Sequence, residues 1–182
     1  MAPYSGPVID THHHIWLRKD VAWLADPPIP RMFGDYFGLR RDYPVEEWIN
    51  DVVPQGVTKS VHVTANWGLA RALDETRWLQ SVADKHGYPH GIVCQVDLAD
   101  PDIDAKLKAQ KQFPNLRGVR QMLYWDADPV RQAVNRPTSA IPPNFAADLH
   151  CWKSTALVSN CRCMPGRRPT QPSWSRRFPM CA

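Results

Sequence analysis

The fold of this chain is decided by the stretch Val8-Ile-Asp-Thr-His-His-His14 near its N-terminus. The β-branched opening of this stretch predicts a short strand that ends in three consecutive histidines. Because side chains alternate along a strand, we expect His12 and His14 on one face and His13 on the other. Two imidazoles at the C-terminal end of a first parallel strand can converge on one ion or one anionic ligand. A histidine-rich turn or a tag remnant fits less well, because the run is short and continues a strand.

Three more short runs rich in β-branched residues follow along the chain, and helical patterns separate them. The predicted strands are Ser60–Thr64, Gly91–Val96 and Leu116–Leu123, and the predicted helices are Pro44–Val53, Ala72–His86 and Asp100 to about Gln112. Gly87 follows the second helix as a stop signal. This alternation predicts parallel βαβ units rather than a sandwich or a bundle. The proline-rich segment from Trp16 to Tyr43 predicts an extended loop, and such loops often cover sites.

Single residues outside the histidine run have structural as well as functional interpretations. His62 lies in the middle of a predicted strand and is expected to be a core histidine. Glu75 begins a helix and is expected to stabilise its N-terminus. Trp67 and Trp125 each follow a strand, where they could line a pocket or take part in ordinary packing. The apolar face expected on the second helix consists of Leu73, Trp78, Leu79 and Val82.

The composition indicates one main domain followed by an unusual tail. The chain has 182 residues, of which 43% are hydrophobic, so it can form a real core. It has no run of 18 apolar residues and no secretory signal, so we expect a cytoplasmic location and no membrane partner. Residues 1–145 carry a net charge of −1, whereas residues 146–182 carry +5 and four of the five cysteines. We therefore expect a boundary near Phe145.

Four sequence motifs follow one another within residues 1–145. They are Val8-Ile-Asp-Thr-His-His-His-Ile-Trp16, Ser60-Val-His-Val63, Glu75-Thr-Arg-Trp-Leu79 and Arg117-Gly-Val-Arg-Gln121. In this order they resemble the amidohydrolase-related metal-dependent hydrolases, and most of all the lactonases that act on sugar lactones and on pyrone dicarboxylate. The resemblance extends over roughly Val8 to Phe145. It implies an α/β fold, namely a partial (β/α)₈ TIM barrel of about four βα units.

The resemblance also implies a hydrolase, with lactone or other carboxylic ester hydrolysis as the expected reaction and a small lactone or carboxylate as substrate. In many members of the family the first-strand histidines bind a divalent metal, so His12 and His14 are the expected ligands. Zinc suits imidazole best. In the pyrone-dicarboxylate lactonases these histidines instead hold substrate carboxylate without a metal, so both roles stay open.

Two arginines of the fourth strand are candidates for a further role. Arg120 could bind a substrate carboxylate or bridge to an acidic helix. Arg117 lies three residues earlier, so strict alternation sends its side chain to the other face, where a structural role is expected.

The predicted barrel is incomplete. A full barrel needs about 250 residues, whereas the pattern predicts four strands only. The family's later histidine and its aspartate general base find no counterpart, so this chain is expected to be inactive. The alternatives are a non-catalytic half-barrel fragment and a decarboxylase-like member of the same superfamily. Unpaired barrel edges should favour self-association.

The tail at 146–182 has no strand or helix period and is expected to be disordered or irregular. Cys161-x-Cys163 lacks the spacing of a zinc knuckle, and the tail arginines lack interleaved aromatic residues, so neither metal nor nucleic acid is expected there. Reading from the third base of the Trp152 codon, with suitable synonymous codons, yields EINGLGFELQVYAGQAADAAKLVQAFPDV. This stretch resembles the fifth strand and helix of the lactonases. We therefore interpret the tail as the gene read in a shifted frame.

Overall fold

The structure is a computed structural model that describes residues 6–31, 34–98 and 100–122. The strands in this part are β1 (Val8–His13), β2 (Val57–Val63), β3 (Gly91–Gln95) and β4 (Leu116–Arg120). The α-helices are α1 (Ala22–Ala25), α2 (Val45–Val52), α3 (Ala72–His86) and α4 (Ile103–Gln110). The predicted boundary near Phe145, the predicted tail at 146–182 and Trp125 lie outside the described residues.

The four strands form one sheet in the order β1-β2-β3-β4, and every neighbouring pair is parallel. Helices lie in each connection between consecutive strands, as parallel pairing requires. This arrangement confirms the predicted α/β architecture of a partial barrel. The second strand begins at Val57 rather than at Ser60, because the chain already turns into the sheet after Gly56, whose φ is 83°.

The main core lies between one face of the sheet and the helices α2, α3 and α4. Ile92 and Cys94 of β3 point into this core, and so does Val96 just beyond the strand. The other buried members are Ile15, Val45, Trp48, Val57, Leu79, Leu98, Ile103, Leu107, Leu116 and Val119. By strand alternation Val93 and Gln95 lie on the opposite face, which is the interior face in a barrel.

Helix α3 spans the residues predicted for it, and Gly87 ends it with a φ of 79° and a hydrogen bond from its N–H to Ala83 O at 2.8 Å. Its buried face differs from the expected apolar stripe. The buried residues are Ala72, Glu75, Thr76, Leu79, Gln80 and Ala83. Polar side chains are tolerated there because they find partners within the protein. The Gln80 amide, for example, accepts a hydrogen bond from Asn115 N at 2.9 Å and donates one to Asp84 Oδ1 at 2.8 Å.

The segment between β1 and α2 is more structured than the extended loop predicted for it. Trp16 and Tyr43 form an antiparallel bridge that joins the two ends of the segment. Between them lie the single-turn helix α1 and two short 3₁₀ turns at Arg18–Asp20 and Phe37–Leu39. Arg40 donates hydrogen bonds to the carbonyls of Leu24 and Asp26, which satisfies the C-terminal end of α1.

A second, smaller core anchors this segment to the end of β2. It consists of Val21, Leu24, Tyr36, Ala65 and Trp67, all buried. Trp67 is therefore a packing residue in this structure. None of the helices in the described ranges is long and apolar enough to cross a membrane.

Candidate active site

The histidine run at the end of β1 divides between the two faces of the sheet. His13 is buried on the helical side, where its ring stacks on Trp48 at a centroid distance of 4.2 Å and its Nε2 lies 3.1 Å from Ser60 Oγ. Burial lowers the pKa of His13 to about 4. His13 is therefore a neutral packing residue, turned away from its two neighbours.

His12 and His14 come together at the end of the strand. Their ring centroids are 5.1 Å apart in an edge-to-face arrangement, and the His12 ring is exposed whereas the His14 ring is partly buried. The register between β1 and β2 shifts between Asp10 and His13, so the strand bulges at this point. Bulges re-aim side chains next to active sites in other proteins.

The His14 ring has a defined tautomer. Its Nδ1 lies 2.6 Å from the backbone carbonyl of Val63 at the end of β2, and a carbonyl can only accept, so Nδ1 carries the proton. Burial lowers the pKa of His14 to about 4, and the positive charge of Arg120 acts in the same direction. The neutral ring therefore presents an unprotonated Nε2.

His62 of β2 lies behind this pair, as a core residue. It is fully buried, its Nε2 lies 3.3 Å from the Ile15 carbonyl, and its ring is 5.4 Å from His13 and 5.9 Å from His14. Burial holds its pKa well below the ordinary value. This placement agrees with the core role expected from the sequence.

Arg117 and Arg120 lie on the same face of the sheet, which corrects the expectation that alternation separates them. Arg120 pairs with Gln95 in the β3–β4 ladder. A Cβ built on Gly91, which shares the face of Gln95, would lie 3.3 Å from the Arg117 Cγ. The physical reason is a register shift between Ile92 and Val93, which inserts one extra residue into β4.

The two arginines nevertheless differ in position along the strand. Arg117 lies at the start of β4, and its guanidinium donates to the carbonyls of Pro114 and Leu116 at 2.6 and 2.8 Å. These two hydrogen bonds to the backbone agree with the structural role expected for Arg117. Arg120 lies at the C-terminal end of β4, which is the end where β1 carries His12 and His14. Active sites of parallel barrels form at this end.

Glu75 is the residue of this region whose position sequence reasoning missed. Its carboxylate is buried and accepts hydrogen bonds from Thr64 Oγ1 at 2.8 Å, from Ala65 N at 2.5 Å and from Trp67 N at 3.4 Å. Glu75 lies in the first turn of α3, as expected, but its hydrogen bonds go to the segment that follows β2. The only sequence signal was the Glu-x-x-Trp-Leu pattern, which says nothing about where the side chain points.

The imidazoles of His12 and His14 could form part of a metal site. A metal-binding histidine commonly donates its second ring N–H to a carbonyl, which fixes the tautomer, and His14 does this. Among the described residues there is no group of three or more histidine, cysteine, aspartate or glutamate side chains that could hold a metal. His12 and His14 would supply two ligands, and a tetrahedral zinc site needs further ones.

Comparisons with known proteins identify similar sequences and folds. No family model matches the chain. It is 36% identical over 140 residues to an uncharacterized protein, y4mH, of Sinorhizobium fredii, covering 76% of this chain and 47% of that protein. It is 27% identical over 179 residues to the L-fucono-1,5-lactonase of Burkholderia ambifaria, covering 94% of this chain and 53% of that enzyme.

A solved structure agrees with these relatives. The crystal structure of an amidohydrolase from Burkholderia multivorans with bound zinc matches with a TM-score of 0.57 and 26% identity. The match covers 85% of this chain and 48% of that protein. The chain therefore spans about half the length of the relatives it matches. Sequence and fold together confirm the resemblance of this chain to the lactonase branch of the amidohydrolase-related proteins.

Proposed function

We propose that this chain supplies the first half of a hydrolase barrel that opens a lactone or another carboxylic ester. The observation that carries the proposal is the pair His12 and His14, held together at the C-terminal end of β1 with Arg120 at the same end of β4. The named relatives, an L-fucono-1,5-lactonase and an amidohydrolase with bound zinc, support this class of reaction.

The state of His14 favours metal binding over carboxylate binding at this ring. A carboxylate accepts hydrogen bonds, and it would need a protonated nitrogen or a positive charge to hold it. His14 is neutral and its Nε2 has a lone pair, which is the form that ligates a metal. We therefore assign metal binding to His12 and His14, with zinc as the best match to imidazole.

Arg120 takes the other role that the sequence left open. Its guanidinium is positively charged at all physiological pH values and can hold a carboxylate through two parallel hydrogen bonds. Its charge already acts on the His14 ring. We therefore propose that Arg120 binds the carboxylate or the carbonyl oxygen of the substrate. A bound metal would supply Lewis acidity and a water of lowered pKa.

The proposal for this chain alone is that it binds but does not turn over a substrate. The later histidine and the aspartate general base that the family resemblance implies have no counterpart in the sequence, and the carboxylate next to the histidine pair, Asp10, accepts a hydrogen bond from the His12 amide at 3.1 Å. A non-catalytic half-barrel and a decarboxylase-like relative are the remaining alternatives. Clear lactone hydrolysis by the purified chain would contradict the proposal of inactivity.

Zinc binding tests the site directly. We expect His12→Ala and His14→Ala each to weaken zinc binding at least tenfold in isothermal titration calorimetry, because each removes one of two ligands. His90→Ala is the matched control, since His90 is an exposed histidine at the other end of the sheet, beside the start of β3. Equal losses in all three variants would mean non-specific chelation and would contradict the assignment.

We also propose that residues from about Phe145 onward result from a shifted reading frame. The change in charge and cysteine content near that point supports this, as does the βα-like sequence in the other frame. Resequencing the gene and reading past the present stop is the test. An early stop in the other frame, or the absence of a later-strand histidine and aspartate, would contradict the idea.

A further inference from the structure

A buried carboxylate lies behind the candidate site and has no role in the proposed chemistry. Glu75 of α3 is 2% exposed, and all three of its hydrogen-bond partners are donors, so the group acts as an acceptor only. Burial raises its pKa, and the three hydrogen bonds together with Arg71 oppose that shift. A buried carboxylate is costly unless its lone pairs are satisfied, so its contacts indicate what it stabilises.

The contacts of Glu75 fall on one short segment, Thr64–Trp67, which follows β2 directly. One carboxylate oxygen accepts from the Ala65 amide, and the other accepts from the Thr64 hydroxyl and the Trp67 amide. The Thr64 hydroxyl in turn accepts from the Asn66 amide at 3.0 Å. Asn66 has a φ of 63°, an uncommon conformation that such contacts can maintain.

This segment continues from the residue that orients His14. The Val63 carbonyl accepts the His14 Nδ1 proton, and Val63 is joined directly to Thr64. Thr64 is held on its other side by a backbone hydrogen bond from its N–H to Val93 O at 2.9 Å. The peptide unit that bears the Val63 carbonyl is therefore fixed between the sheet and the Glu75 carboxylate.

We propose that Glu75 is a positioning residue that fixes the turn Thr64–Trp67, and that it thereby keeps the Val63 carbonyl on the His14 Nδ1 proton and the His14 Nε2 unprotonated toward the ligand. Glu75 contacts neither substrate nor metal in this arrangement. The inference rests on the proposed role of His14 as a site residue. It concerns the tautomer of that ring, which is measurable without any ligand or activity.

The experiment is nitrogen-15 NMR of the histidine rings in the full chain, without metal. We expect the unmodified protein to show His14 as the Nδ1–H tautomer alone. A Glu75→Gln variant keeps the side-chain shape but replaces one accepting oxygen by an NH₂ group, which in either orientation of the amide cannot accept from the backbone amide that it faces, Ala65 or Trp67. We expect His14 to lose its pure Nδ1–H signature in this variant and to shift toward an average of the two tautomers.

Asp74→Asn is the matched control, because Asp74 is the exposed neighbour of Glu75 on the same helix and contacts Arg77 instead. It should leave the His14 signature unchanged. The His13 signal is an internal control, since its contacts with Ser60 and Trp48 do not involve the turn.

A second pair of variants tests the proposal if Glu75→Gln does not fold. Thr64→Val removes only the hydroxyl and leaves the two amide bonds to the carboxylate, and we expect a smaller shift of His14 in the same direction. Thr64→Ser restores the hydroxyl and should restore the signature. An unchanged His14 tautomer in a folded Glu75→Gln or Thr64→Val protein would overturn the proposal. Failure of zinc binding with a normal tautomer would instead count against the proposed function alone.

Discussion

The rings of His13 and His14 each lie within 6 Å of the buried His62 ring, and desolvation lowers the pKa of all three histidines, so they are neutral at physiological pH. Their rings approach to 5.4 Å for His13 and His62 and to 5.9 Å for His14 and His62. Protonating any of them would place a charge in a poorly hydrated region beside other imidazoles. The local arrangement thus provides unprotonated nitrogen, which is what a metal site needs, and makes the fold sensitive to acid.

The free energy of unfolding should fall as the pH drops from about 7 toward 4. The pKa values of His13 and His14 are lowered from 6.5 to about 4 in the folded state, so the unfolded chain binds more protons between these values. The contribution of these two neutral histidines to the free energy of unfolding is fully present above pH 6.5 and is lost as the pH falls toward 4. For His13 alone the loss is on the order of 3 kcal/mol.

Urea unfolding at pH 7, 6 and 5 measures this dependence. A His90→Gln variant should keep it, because His90 is exposed. A free energy of unfolding that stays constant from pH 7 to pH 5 would show that the buried histidines are not held neutral by the fold.

At the scale of the elements, the bulge in β4 decides which side chains share the interior face of the sheet. Arg117 is the extra residue between Leu116 and Gly118 in this ladder. Because of it, Arg117 and Arg120 lie on the same face although they are three residues apart, and Arg117 lies over Gly91. The close approach is possible because Gly91 has no side chain. A Cβ at this position would lie 3.3 Å from both Arg117 Cγ and Val61 Cγ2.

A Gly91→Ala substitution should therefore destabilise the protein by roughly 1 kcal/mol, at the low end of overpacking effects. Part of this loss should be recovered in the double variant with Arg117→Ala, since that change removes one of the two close neighbours. A double-mutant cycle in urea measures the coupling. Additive effects of the two substitutions would show that Arg117 lies on the opposite face after all.

At the scale of the whole molecule, the described sheet is open, with β1 and β4 as its outer strands. Parallel sheets normally have both faces covered, and here the helices of the main core lie on one face only. Ile9 of β1 is 53% exposed, in keeping with a surface that a complete barrel would cover.

We therefore expect the purified chain to self-associate in a concentration-dependent way. Light scattering after size-exclusion chromatography at two concentrations measures this. An Ile9→Lys variant should associate less, because charge on an edge strand opposes pairing between chains. Ile29→Lys is the control, since Ile29 is exposed to the same degree, 54%, but lies in the segment between β1 and α2. A monodisperse monomer that melts cooperatively would contradict this expectation.

The order of strands and helices was predictable from the sequence by itself, because each element carries a local signal. Alternating β-branched runs and helical patterns required parallel βαβ units, and Gly87 marked the end of α3 at the observed residue. The separation of His13 from His12 and His14 also followed from strand alternation, which is a property of the backbone. These predictions depend on neighbours in sequence only.

Only the tertiary structure decided which polar groups are buried and which contacts they make. Glu75 looked like a helix-terminal acid, yet it is buried under a turn that belongs to another strand. Arg117 was assigned to the wrong face because a bulge is a feature of strand pairing and not of composition. The proton on His14 depends on a carbonyl 49 residues away. Each of these outcomes depends on contacts between distant segments, for which the local sequence pattern has no signal.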